Sequence, residues 1–154
     1  MGLDVGDRRI GVALADADGR ALPLTTFQRS ADPARDAAAV QRLVDRHDVT
    51  EIVVGLPIDM SGEEGSQAVR TRDWVDTVLQ AGIAPVRYRD ERLSSHRAEE
   101  RVGPMKRGRS GGPPTRAQRE AWRSRVDREA AAIILQDELD ARADAREPRT
   151  ENAE

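Results

Sequence analysis

The sequence contains no cysteine. A disulfide framework, a thiolate zinc site and a cysteine nucleophile are therefore excluded. Aromatic residues make up only 3% of the chain, so alanine, valine, leucine and isoleucine must supply most of the core. The two histidines, His47 and His96, are too few for a histidine-rich metal site.

Long hydrophobic runs are also absent. No apolar run approaches the roughly 18 residues that a membrane-spanning helix requires, and no signal peptide is recognisable. We therefore expect a cytoplasmic protein without a membrane partner. The length of 154 residues predicts one domain, which we place over residues 1–142. Residues 143–154 are polar, and we expect them to form a disordered C-terminal tail.

Net positive charge is absent over most of the chain and is confined to one segment. The formal net charge is −3, but residues 101–128 contain nine basic and two acidic residues, a net charge of +7. The first part of this segment, residues 103–115, is rich in glycine and proline, which predicts a loop. A mobile basic loop suits a phosphate backbone, although a solvated loop without a ligand has the same composition.

Short apolar runs predict five β-strands. Their approximate ranges are 1–4, 10–15, 21–27, 51–54 and 84–88. The first three are separated only by turns, which indicates an antiparallel meander. The last two alternate with predicted helices, which indicates an α/β domain with a mixed sheet.

The helices are predicted from their start signals and from apolar residues at helical spacing. Asp32 can cap the first helix, with Pro33 at its first position. Ser94 or Ser95 is expected to cap the third helix. The predicted helices cover about 33–47, 63–81, 94–102 and 116–142. The last of them carries an apolar stripe formed by Val126, Ala130, Ile133 and Ile134.

Three acidic residues stand where these elements can bring them together. Asp4 ends the first strand, Glu91 follows the fifth strand, and Asp127 borders the apolar stripe of the last helix. Clustered carboxylates hold Mg²⁺, which keeps part of its water shell for phosphate. Each acid taken singly also fits a solvated turn or helix position. Because neighbouring residues on a strand point to opposite sides, only one of Asp90 and Glu91 can face Asp4.

The few aromatic residues limit base stacking to a minor role. Trp122 and Tyr88 are the candidates for stacking on a nucleic-acid base. Trp74 lies on the apolar face of its predicted helix, which indicates a core residue. His96 could assist a proton transfer, but its predicted position is on the surface of a helix.

Four motifs together resemble the YqgF/RuvX family of pre-16S rRNA nucleases, also described as Holliday junction resolvase-like. The motifs are GLDVGDRRIGVALAD, EIVVGLPIDMSGEEG, RYRDERLSS and VDREAAAIILQDELD. They occur in the family's order, at near-family spacing, over most of residues 1–142. The resemblance implies a ribonuclease H-like fold with a five-stranded mixed sheet of order 3-2-1-4-5, flanked by helices. Because Met1 nearly begins the first strand, that central strand is expected to be short.

The resemblance also implies the site. By motif, Asp4, Glu91 and Asp127 match the acids that would act as catalytic residues and as ligands of Mg²⁺ or Mn²⁺. The implied chemistry is two-metal hydrolysis of a phosphodiester bond. The residues expected to contact nucleic acid are Arg9 and Arg92 of the motifs, and Lys106, Arg107, Arg109 and Arg123 of the basic segment.

The implied substrate is the 5′ leader of precursor 16S rRNA, with ribosomal particles as a further partner in ribosome biogenesis. The same fold leaves open a resolvase of four-way DNA junctions, which would need a dimer. The sequence offers no obvious apolar dimer face, so we expect a monomer or a weak dimer. A non-catalytic nucleic-acid-binding protein is a third hypothesis. The three acids argue against it, because clustered carboxylates repel phosphate and would not be kept for binding alone. An actin-like ATPase, which shares the GxDxG opening, would need a second domain.

Overall fold

The computed structural model describes residues 1–79, 82–108 and 111–146. In this part of the chain, five strands and four helices follow one another. The elements are β1 (Gly2–Val5), β2 (Arg9–Ala15), β3 (Ala21–Gln28), α1 (Pro33–His47), β4 (Ile52–Leu56), α2 (Ser66–Val78), β5 (Val86–Asp90), α3 (Ser94–Val102) and α4 (Arg116–Arg146). No helix among these residues is both long and apolar enough to cross a membrane.

The five strands form one mixed sheet in the order β3-β2-β1-β4-β5. β1, β2 and β3 pair antiparallel, whereas β4 runs parallel to β1 and β5 runs parallel to β4. The predicted meander and sheet order are therefore confirmed. As expected, β1 is short, with four residues, and it is nevertheless the central strand.

The side chains of β1 alternate between two cores, because successive residues of a strand point to opposite faces. Leu3 and Val5 face the larger core, which α1 and α2 cover. Trp74 of α2 lies in this core, as predicted, and its Nε1 donates a hydrogen bond of 2.9 Å to the buried carboxylate of Asp36. The other face of β1 carries Asp4 and is covered by α4.

Glycines on the sheet allow α4 to lie unusually close to it. A Cβ atom on Gly11 would overlap the backbone oxygen of Asp127, and one on Gly2 would lie 2.7 Å from the backbone oxygen of Ala131. Gly11 is also the residue of β2 that pairs with Asp4 of β1. The close approach therefore brings the part of α4 that carries Asp127 next to Asp4.

Three helix boundaries differ from the sequence prediction: both ends of α2 and the end of α4. α1 begins and ends as predicted, and the Asp32 carboxylate accepts a hydrogen bond from the backbone nitrogen of Ala34. α2 begins three residues later than predicted, at Ser66, because the Asp59 carboxylate accepts hydrogen bonds from the backbone nitrogens of Ser61 and Glu63 and closes a turn there. It ends at Val78, with Leu79 at its C-cap, three residues before its predicted end at residue 81, which lies outside the described residues.

Neither predicted serine caps α3. The residue at the N-cap is Leu93, which has a left-handed backbone with a φ of 65°. Ser94 follows as the first helical residue, and its side chain turns into the protein. The reason is a tight turn, closed by a hydrogen bond from the backbone nitrogen of Ser94 to the carbonyl of Glu91.

α4 extends four residues past its predicted end, so residues 143–146 of the predicted tail are helical. Arg142 anchors this part of the helix by hydrogen bonds to the carboxylates of Glu51 and Glu138. Residues 147–154, the rest of the predicted tail, lie outside the described residues.

Candidate active site

Asp4 lies at the end of the central strand, beside the other two predicted acids. Loss of hydration and the negative charge of Asp127 raise the pKa of Asp4 to about 7, while the guanidinium of Arg9 acts in the opposite direction. A carboxyl group in this position is only partly ionised at neutral pH. The folded chain therefore holds a carboxylate that a neighbouring cation would stabilise.

Glu91 lies directly after β5, on the side of the sheet that faces α4. Its backbone nitrogen donates to the carbonyl of Leu56 at the end of β4. Burial raises the pKa of Glu91 to about 8, and the charges of Asp4 and Asp90 add to this effect. Its Oε2 is buried without a hydrogen-bond partner. Gly55 makes room for this oxygen, since a Cβ atom there would overlap it.

Asp127 reaches the same edge of the sheet from α4. Arg9 of β2 donates a hydrogen bond of 2.5 Å from its Nε to Oδ2 of Asp127, and both side chains are largely buried. The ion pair fixes the position of Asp127 and offsets part of its charge. Arg9, expected to contact nucleic acid, thus binds an acidic residue in this structure.

The three acids are neighbours but do not form a closed cage. Asp4 interacts electrostatically with both Glu91 and Asp127. Among the described residues, no group of three or more His, Asp or Glu side chains is arranged to hold a metal ion. The arrangement is a pair, Asp4 and Glu91, with Asp127 held beside it by Arg9.

The pair has the chemistry of an Mg²⁺ or Mn²⁺ site. Mg²⁺ is commonly bound by one or two carboxylates and keeps its remaining positions for water and phosphate. Hard carboxylate oxygens select such ions over softer metals. A bound cation would give Oε2 of Glu91 a partner and would stabilise the ionised forms of Asp4 and Glu91, whose pKa values are raised. The residues present therefore fit a divalent metal ion.

A cleft of about 350 Å³ opens beside Asp127. Its lining residues are Gly6, Asp7, Arg8, Arg9, Arg123 and Asp127. Within the described chain, neither Arg8 nor Arg123 is paired with a carboxylate. Arg123 was predicted from the sequence, whereas Arg8 was missed, although it stands in the turn between the first two strands. Two unpaired guanidinium groups beside a carboxylate cluster suit a phosphate group.

The other predicted nucleic-acid contacts lie farther out. Arg92 binds Asp90, with its Nε 2.8 Å from Oδ2. Lys106 lines a different cavity, between α3 and α4. Arg107 is exposed in the loop before α4. Arg109 lies outside the described residues.

A larger cavity, of about 550 Å³, lies between β3 and α1 and is not the site of this chemistry. It is lined by Thr25, Phe27, Ala39, Arg42, Leu43, Asp45 and Arg46. Only one of these residues is an acid, and none of them is a predicted site residue. Its larger volume therefore carries no argument about hydrolysis.

The other side chains considered for chemistry are accounted for by local contacts. His96 is exposed on α3, with its Nδ1 3.5 Å from the carboxylate of Glu100. The ring of Tyr88 is covered by the guanidinium of Arg72, which lies 4.5 Å from the ring centre. Trp122 lines the cavity between α3 and α4. Of the two aromatic residues considered for base stacking, Trp122 is the one that faces a cavity.

The sheet order, the helix packed against the central strand and the acids at the strand ends define a ribonuclease H-like domain. Two solved structures share this architecture. Thermus thermophilus RuvC in complex with a Holliday junction substrate matches with a TM-score of 0.52 and 16% identity, over 92% of this chain and 93% of that chain. A second Thermus thermophilus RuvC structure matches with a TM-score of 0.51 and 18% identity, over 93% and 95% of the two chains. At these identities the likeness concerns the fold.

Sequence comparison defines the family more narrowly. The family model described as "RuvX: Holliday junction resolvase" matches residues 1–141. A protein of Chloroflexus aurantiacus named "Putative pre-16S rRNA nuclease" is 44% identical over 92% of this chain and 86% of its own length. A protein of Synechococcus sp. with the same name is 43% identical over 97% and 91%. The chain therefore belongs to the RuvX family of nucleases, as the four motifs predicted.

Proposed function

We propose that this protein is a metal-dependent nuclease that processes the 5′ end of precursor 16S rRNA. The observation that carries the hydrolytic function is the position of Asp4 and Glu91 at one edge of the sheet, where Oε2 of Glu91 is buried without a hydrogen-bond partner. A cation at this edge would also stabilise the ionised form of both carboxyl groups, whose pKa values burial raises. The substrate follows from the names of the curated relatives. Ribosome biogenesis would place this activity in the cytoplasm, with immature ribosomal particles as the natural partner.

Each acid has a separate role in this proposal. Asp4 and Glu91 would hold Mg²⁺ or Mn²⁺, and Asp127, oriented by Arg9, would complete the acidic site. Two divalent ions, when bound, would lower the pKa of a water molecule and stabilise the charge on the departing 3′ oxygen. The product would carry a 5′-phosphate.

The arginines of the cleft would position the substrate. Arg8 and Arg123 line the cleft beside Asp127 and are unpaired in the part of the chain that the structure describes. They would neutralise the phosphate groups on either side of the scissile bond, and without them the acids would repel the nucleic acid. Loss of either arginine is therefore expected to weaken substrate binding more than turnover.

The experiment that tests the proposal is cleavage of a labelled 16S 5′-leader RNA beside a labelled four-way DNA junction. Each substrate is incubated with wild type, Asp127→Asn or Asp140→Asn in Mg²⁺, Mn²⁺ or EDTA. Asp140 is the matched control, because it is an exposed acid on the same helix. The leader RNA is also presented within immature small ribosomal subunits.

We expect metal-dependent cuts in the RNA that leave a 5′-phosphate. The rate should fall by about 100-fold or more in Asp127→Asn, as for the loss of one stabilising group in an active site, and should stay near wild type in Asp140→Asn. Cuts in the DNA junction alone would instead assign a resolvase. No cleavage of either substrate, free or in particles, by folded protein would contradict the nuclease function.

A further inference from the structure

The cavity between α3 and α4, which has a volume of about 350 Å³, lies at the end of the contact between these two helices. It is lined by Val102, Pro104, Lys106, Gln118, Ala121, Trp122 and Arg125. A small apolar core lies next to it, formed by Ala98, Val126, Ala130 and Ile133. Val102 and Trp122 pack against this core, so they join the core to the wall of the cavity.

The indole of Trp122 is held in one orientation. Its Nε1 donates a hydrogen bond of 2.8 Å to the carbonyl of Gly103, and the small core supports it. The residue is nevertheless only half-buried, because it borders the cavity. An aromatic ring that is fixed before a ligand arrives loses little conformational entropy when a planar group stacks on it.

The charges around the cavity favour an anionic ligand. Lys106 and Arg125 line it, and neither is paired with a carboxylate among the described residues. None of the lining residues is acidic. An aromatic ring, apolar walls and two free cations are the chemistry that binds a nucleotide, whose base stacks while its phosphate is neutralised.

The cavity lies close to the candidate active site along α4. Trp122 directly precedes Arg123, which lines the cleft beside Asp127. Trp122 and Asp127 are five residues apart, which is about 7.5 Å along the axis of α4 and about 140° around it at 3.6 residues per turn. The axial distance alone corresponds to about two base steps of a stacked strand, and the strand would also pass partly around α4. A strand whose scissile phosphate lies at the acids could therefore place a nearby base in this cavity.

We propose that the cavity between α3 and α4 binds one unpaired base of single-stranded RNA, a few nucleotides from the bond that is cleaved. The position of the cleaved bond rests on the proposed function, whereas binding of the base does not require cleavage. The cavity would select substrates that are single-stranded within a few nucleotides of the cut, because a base in a duplex is not free to leave its stack.

Tryptophan fluorescence tests the proposal directly. The chain has two tryptophans, and Trp74 is 4% exposed and hydrogen-bonded to Asp36 in the main core. A change in emission on adding RNA therefore reports on Trp122. The probe is a six-nucleotide RNA in EDTA, compared with the same hexamer lacking its bases and with the hexamer in a duplex.

We expect saturable quenching by the single-stranded hexamer. Quenching should be absent in Trp122→Phe, which retains only the buried tryptophan. The abasic hexamer and the duplex should each bind at least about tenfold more weakly than the single-stranded hexamer, since stacking of one base contributes that much affinity. Equal affinity for the hexamers with and without bases, equal affinity for single strand and duplex, or unchanged Trp122 emission would overturn the proposal.

A pair of variants separates stacking from packing. Trp122→Phe keeps an aromatic face, whereas Trp122→Leu keeps only apolar volume against Val102 and Val126. By fluorescence anisotropy of labelled RNA, the phenylalanine variant should retain affinity within about threefold and the leucine variant should lose about tenfold or more. Melting temperatures establish that both variants fold. Equal affinities of the two folded variants would overturn the stacking role.

Cleavage assays with the same protein distinguish this proposal from the proposed function. Quenching without cleavage of the leader RNA would refute the nuclease function and support the binding site. Cleavage without quenching would refute the binding site and support the nuclease function.

Discussion

Replacing Asp4 by asparagine should raise the stability of the metal-free protein while abolishing cleavage. Raising the pKa of Asp4 from 3.8 to about 7 corresponds to about 4 kcal/mol of unfavourable ionisation in the folded state, at 1.36 kcal/mol per pKa unit. The asparagine side chain would still place an amide in a poorly hydrated site, at a cost of about 1–3 kcal/mol. We therefore expect a net gain of about 1–3 kcal/mol in the free energy of unfolding.

The gain should depend on pH in a defined direction. The folded protein binds a proton at Asp4 more tightly than the unfolded chain between pH 3.8 and about 7, so stability is lost as the pH rises through this window. Glu91 acts in the same direction between pH 4.5 and about 8. Removing the Asp4 carboxyl should therefore stabilise the protein strongly at pH 8 and much less at pH 5.

Thermal unfolding in EDTA at pH 5 and pH 8 measures the effect. At pH 8 the variant should melt about 2–12 °C above wild type, since each kcal/mol shifts the melting temperature of a protein of this size by about 2–4 °C. Asp18→Asn is the control, because Asp18 is exposed in a turn. An Asp4→Asn variant that is no more stable than wild type at pH 8 would refute the reasoning.

Three further outcomes are expected. Gly11→Ala should lower the free energy of unfolding, measured by urea denaturation, by about 3 kcal/mol or more, because its Cβ would overlap the backbone oxygen of Asp127. Gly65→Ala is the control and should change this free energy by less than about 1 kcal/mol, because Gly65 faces open space. Equal effects of the two variants would contradict the packing argument. Ser94→Ala should keep or raise the melting temperature, since it removes a buried hydroxyl without a partner, and a loss above about 1 kcal/mol would show that this hydroxyl is bonded. Mg²⁺ should raise the melting temperature of wild type more at pH 8 than at pH 5, because Mg²⁺ binding needs ionised carboxylates. It should not raise the melting temperature of Asp4→Asn. Equal shifts of the wild-type melting temperature at both pH values would argue against this site.

Local sequence signals predicted the elements well where each signal acts within a few residues. Asp32 and Pro33 marked the start of α1, because capping and a fixed φ are local effects. The prediction that Ser94 or Ser95 caps α3 was wrong for a physical reason. Capping requires the hydroxyl to face the helix end, but the turn at Leu93 directs Ser94 into the protein. Ser94 is buried and Ala98 of α3 lies in the core shared with α4, and these contacts are not contained in the local sequence signal.

The end of α4 shows the same limit. Polar residues after Arg142 predicted a tail, yet the helix continues to Arg146. Its support comes from Glu51, which is 91 residues away in sequence and accepts two hydrogen bonds from Arg142. Such a contact cannot be inferred from the composition of the segment.

The sequence by itself determined the family, the order of the strands and the identity of the candidate acids, because four motifs in a fixed order carry that information. The tertiary structure alone decided how the acids are arranged. Arg9 binds Asp127, Gly11 leaves room for α4 to pack closely on the sheet, and Oε2 of Glu91, beside Asp4, has no hydrogen-bond partner. The physical reason is that a pKa depends on hydration and on charges a few ångströms away. Those quantities exist only after α4 has packed against the sheet.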